Sequence, residues 1–122
     1  MALTTLTTTA MEEGSYFITA SFYNEDDNAV SPNADTIYWT LTDEDGTVIN
    51  DRDNEAESSA TSITIELGGD DLAIQSGETA SLVRRRLTLK WEYDSDLGAG
   101  KKGKAECIFL IRNLTRLPAM VV

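Results

Sequence analysis

Residues 36–49 read TIYWTLTDEDGTVI. Ile37, Trp39 and Leu41 fall on every second position, with Tyr38, Thr40 and Thr42 between them. A period of two puts the three large apolar side chains on one face of an extended strand. Asp43-Glu44-Asp45-Gly46 follows, and Val48 and Ile49 resume strand-forming character. Asp bonds its own backbone and Gly accepts positive φ, so the acidic run reads as the bend of a hairpin. Calcium is the rival reading, because clustered carboxylates supply the oxygens that ion requires. Asp43, Asp45, Asp94 and Asp96 are the candidate ligands, but no stretch meets the D-x-[DN]-x-[DN]-G spacing with its later glutamate.

The same alternation recurs along the chain. Ile18, Ala20 and Phe22 share a face within Tyr16–Asn24, and Ile63, Ile65 and Leu67 repeat it. Leu87, Leu89, Trp91 and Tyr93 form the longest such run. Cys107, Phe109 and Ile111 share one face of the last strand, while Ile108 and Leu110 make its other face apolar too, which predicts cover on both sides. Turn formers fill residues 24–33, 51–59, 68–71 and 94–103. One short helical turn fits at Asp70 to Ile74, where Asp caps freed N–H groups. The pattern predicts an all-β protein, an antiparallel β-sandwich of about seven strands. Its organisation reads as an extended arm over 1–14, a sandwich over 15–114 and a tail over 115–122.

Composition narrows the chemistry. The chain has 122 residues, which suits one domain, and its hydrophobic fraction of 41% suits a packed core. Histidine is absent, which removes the commonest general base and transition-metal ligand. Cys107, the single cysteine, has no partner for an internal disulfide or a cysteine–histidine pair, and its inward position reads as core. These absences predict a non-enzymatic protein without a cofactor. No apolar run reaches the length of a membrane helix, and the first residues lack the pattern of a signal peptide. The expected setting is soluble, after synthesis in a reducing cytoplasm.

Charge is unevenly placed. The net value is −11, yet residues 84–122 hold nine basic and four acidic residues. A dipolar sequence argues against general nucleic-acid binding and suits docking between copies or onto a larger assembly, unless the fold neutralises the two halves locally. Alternation sends Arg84 and Arg86 outward and Arg85 to the other face or the rim. With Lys101 and Lys102 they form a basic candidate surface, whose plainer role is to keep an exposed strand from unwanted pairing. Trp39 and Trp91 keep step with inward residues and read as core. Leu3 and Leu6 in the threonine-rich arm, and Leu117 and Met120 in the tail, are further interaction candidates. An arm such as LTTLTTT suits pairing with the open sheet edge of a neighbour, and LPAMVV suits an apolar groove.

The V-x-P-x-A step at Ala29–Ala34, the W-T-L-T-D-x-x-G-x-V-I run at Trp39–Ile49 and the I-R-N-L strand at Ile111–Leu114 resemble small stand-alone immunoglobulin-like virion proteins of tailed bacteriophages. They are loosely similar to the N-terminal domain of phage baseplate upper proteins. The likeness covers roughly residues 14–114. It implies an immunoglobulin-like sandwich and a non-enzymatic structural protein of the virion that decorates or stabilises the capsid or sits in the tail or head–tail region. Its implied partners are capsid or tail proteins and copies of itself, with no nucleic acid and no membrane. The alternative is a glycan- or host-surface-binding sandwich module assisted by calcium.

Overall fold

A computed structural model of the chain describes residues 2–114, the first three as backbone only. Eight strands run in order among them: β1 (Ala2–Thr5), β2 (Ala10–Met11), β3 (Ser15–Ser21), β4 (Ile37–Thr42), β5 (Glu55–Glu57), β6 (Ser62–Gly68), β7 (Leu82–Ser95) and β8 (Gly98–Arg112). A single 3-10 turn at Gly69–Leu72 joins β6 to the segment before β7, close to where the sequence suggested one.

The strands form two sheets. The larger has the order β1-β8-β7-β4-β5, with β2 also on β8; the smaller pairs β3 with β6. The chain crosses between sheets before β3, after it, and on both sides of β6, the connectivity of an immunoglobulin-like sandwich. One expectation needs correcting: the sandwich is mixed, not purely antiparallel. β1 and β2 lie parallel to β8, with Ala2 opposite Ala105 and Ala10 opposite Ile111. The residues read as a free arm therefore cap the edge of their own sheet. Ala10 is fully buried, and Leu6 packs on the core while its N–H donates to the Ile108 carbonyl at 2.8 Å. Pairing threonines and alanines to β8 covers an edge that would otherwise expose backbone groups.

Alternation explains the core. Ile18 from β3, Ile37, Trp39 and Leu41 from β4, Ile63, Ile65 and Leu67 from β6, Leu87 and Leu89 from β7, and Phe109 and Ile111 from β8 are all buried in one cluster. Tyr16 stacks on Phe109 across the sheets at 4.9 Å between ring centroids. Antibody-type domains pack a tryptophan against an inter-sheet disulfide. Trp39 is buried in β4 within the core cluster, and its indole N–H donates to Glu57 at 3.0 Å.

A second correction concerns residues 94–103, expected as a loop. β7 and β8 continue through them as one hairpin that turns only at Asp96-Leu97, with Ser95 opposite Gly98. The glycines and lysines there disfavour strand by propensity. Gly103 has a packing reason, however. It lies opposite Trp91, and a Cβ at that position would sit 2.1 Å from the indole. The missing side chain lets Trp91 lie flat over the hairpin and meet Phe22 edge-on at 5.0 Å.

Candidate interaction surface

Even-numbered residues of β7 and β8 face away from the core. Register places Arg84 opposite Leu110, Arg86 opposite Ile108, Thr88 opposite Glu106, Lys90 opposite Lys104, and Glu92 opposite Lys102. These pairs gather five cations against two carboxylates, and Arg112, opposite Leu82, adds a sixth cation to the same face, in a chain whose net charge is −11. Ile108 and Leu110 are half-buried there, directly opposite Arg86 and Arg84.

The cations differ in how far they are neutralised. Arg84 pairs with Glu44 of the acidic turn at 3.2 Å, both largely exposed. Arg86 reaches Glu106 only at 4.0 Å, and Lys102 pairs with Glu92. Lys90 and Lys104 are exposed and make no ion pair among the described residues. Like charges set opposite each other on adjacent strands repel. Lys101 belongs elsewhere: its register partner is Tyr93, its side chain lies by Gly98, and its charge acts on Glu25. The structure therefore brings together Arg84, Arg86 and Lys102, adds Lys90 and Lys104, and separates Lys101. Leu117 and Met120 lie outside the described residues, as does the side chain of Leu3.

Arg85 turns inward and is wholly buried. Its guanidinium meets Glu78 through two bonds, at 2.6 and 2.8 Å, and donates to the Ala73 and Arg84 carbonyls. Arg85 holds the Glu78 carboxyl below the usual carboxylate range. A fork of two parallel bonds fixes the orientation of the guanidinium as well as its charge partner. A second network surrounds Asp71, which is also buried. Arg52 Nε donates to it at 2.7 Å, Asn50 Nδ2 at 2.9 Å and the Gly68 N–H at 3.1 Å. Burial opposes its charge, but these donors outweigh burial and hold the carboxyl below its ordinary range. Arg52 also lies over the Trp39 ring at 5.7 Å. Neither network is visible in the sequence, because each joins a strand to an irregular segment and no period connects the two.

The acidic turns act as turns. Asp43 Oδ1 accepts the N–H groups of Asp45 and Thr47 at 2.9 and 3.0 Å, and Gly46 has φ of 87°. Asp94 Oδ1 accepts from Gly100 N–H and Asn33 Nδ2. Those bonds, the backbone one first, lower the Asp94 carboxyl. Asp43 and Asp45 sit beyond the Thr42–Arg86 end of the β4–β7 ladder, while Asp94 and Asp96 sit at the far end of β7. The four candidate ligands are not brought together, and the described residues contain no grouping suited to a metal ion.

Two clefts follow β3. One, of about 380 Å³, opens between β3 and β8 and is lined by Leu6, Ile18, Ala20, Leu89, Ala105 and Cys107. The other, of about 420 Å³, separates Leu6–Thr9 from Ser15–Thr19. Burial pushes the Cys107 thiol up to about 11, so it remains protonated at neutral pH and behaves as a small apolar group. No protein-family model, curated protein or solved structure matches the chain. The fold and surface define an all-β immunoglobulin-like module with a cationic sheet face.

Proposed function

We propose that the protein is a non-enzymatic structural component of a tailed-phage virion that works by docking. Its basic sheet face meets an acidic surface of a capsid or tail protein. One observation carries the docking mode: six cations collect on one sheet face while acidic residues dominate the rest of the chain. Complementary charge steers such a partner and fixes its orientation. The virion setting rests on the resemblance of residues 29–34, 39–49 and 111–114 to small immunoglobulin-like virion proteins. Attachment in many copies follows, since weak charged contacts hold an assembly through multiplicity.

Mass spectrometry of particles purified from the phage that encodes this chain tests the setting; absence of the chain from those particles overturns it. Adding the purified protein back to particles that lack it tests the docking face. The triple variant R84E/R86E/K90E is expected to bind at least tenfold more weakly than the native chain, and native binding is expected to fall as salt rises. Equal binding by the variant overturns the assignment of the face.

A further inference from the structure

Among the described residues, β3 has one free edge. Its ladder with β6 begins where the Gly69 N–H donates to the Gly14 carbonyl and ends where the Phe22 N–H donates to the Thr61 carbonyl, both at 3.0 Å. Register is constant between those pairs. In an antiparallel ladder, bonded residues alternate. Even-numbered residues of β3 therefore bond to β6. Ser15, Phe17, Thr19 and Ser21 direct their N–H and C=O groups the opposite way, where no described strand pairs with them.

This edge lacks the usual protection. No charged residue and no proline occurs from Ser15 to Asn24. Phe17 is 60% exposed and Tyr23 55% exposed. Proteins normally blunt such edges with lysine, proline or a covering segment. Beside the edge lie the two apolar clefts, so an added strand finds backbone partners on one side and room for alternate side chains below. Both ends of the neutral strip are acidic: Glu12 and Glu13 precede it, and Glu25, Asp26 and Asp27 follow, with Lys101 as the one cation acting on Glu25.

The geometry points to a strand-acceptor site along β3, whose occupant is an extended segment of a partner protein with small or β-branched apolar residues at alternate positions and a basic residue at each end. Strand addition supplies main-chain bonds for affinity, and the clefts select side chains. Basic ends match the acidic flanks, which would oppose a second copy of this acidic chain. The site lies away from the cationic face and does not rest on the virion reading.

The probe is the blocked peptide KTVTVTVK, titrated into the full chain labelled with nitrogen-15. Amide exchange at Phe17, Thr19 and Ser21 is expected to slow at least tenfold on binding. A peptide N-methylated at alternate residues, or one with Glu in place of both Lys, is expected to bind at least tenfold more weakly. Thr19→Pro removes an outward donor without touching the β6 ladder and is expected to abolish binding; Phe17→Lys serves the same end if the proline variant does not fold. Unchanged β3 amides, or equal binding of the N-methylated peptide, overturns the site. So does protection of those amides before peptide is added: at monomer size it assigns the edge to residues 115–122, and at dimer size to a second copy.

Discussion

Among single residues, Gly103 and the buried members of two ion pairs, Arg85 and Asp71, carry the sharpest consequences. Gly103→Ala places a methyl group inside the Trp91 indole, so the ring must leave Phe22. Overpacking of that kind costs ~1–3 kcal/mol. A lower urea midpoint together with a red-shifted tryptophan emission is expected; an unchanged spectrum would contradict the packing. Arg85→Ala removes a wholly buried side chain and leaves the half-buried Glu78 without its partner, with an expected loss of ~2–5 kcal/mol measured by chemical denaturation. Asp71 and Glu78 are both held below their ordinary range, so the folded chain binds fewer protons than the unfolded one. Their stabilisation is complete above the unfolded carboxylate value of ~4 and disappears as pH falls through the lower folded values. Urea midpoints should drop on acidification, and Asp71→Asn should flatten that dependence while lowering stability at neutral pH.

At the level of elements, alternation carried most of the information. It places Ile37, Trp39 and Leu41 inward, and all three are buried. It sends Arg84 and Arg86 to the solvent face of β7, where they stand. The same rule does not distinguish Lys101 from Lys102 without the hairpin register, because a turn anywhere in 94–103 shifts every later side chain by one face. The glycines and lysines of that stretch have poor strand propensity and predict a loop, and the compensating fit of Gly103 under Trp91 is a tertiary fact. The arm escaped for a similar reason: threonine-rich extended sequence looks alike whether it hangs free or pairs. Glu78 and Asp71 find their arginines across loops, and no local pattern announces such partners. Moving the turn tests the hairpin: replacing Asp96-Leu97 with Asn-Gly, which favours a tight two-residue bend, should hold or raise the melting temperature. A fall of several degrees would place the turn elsewhere.

Across the whole molecule, the charge halves of the sequence meet only in part. Glu44 pairs with Arg84 and Glu78 with Arg85, joining the acidic first part to the basic last part. Lys90 and Lys104 keep their charge on the sheet face. The result is a body with one cationic side, not a uniformly acidic one, and its association should weaken with ionic strength over the range where the Debye length contracts from about 10 Å to about 3 Å. The neighbouring placement of β1 and β8 has a mechanical consequence as well. Because the first and last strands run side by side in the same direction, pulling the two ends of the chain apart loads their cross-links lengthwise and all together. Such a clasp resists tension far better than a hairpin that unzips link by link. In single-molecule stretching, Leu6→Pro, which deletes the donor to Ile108, should lower the rupture force measurably.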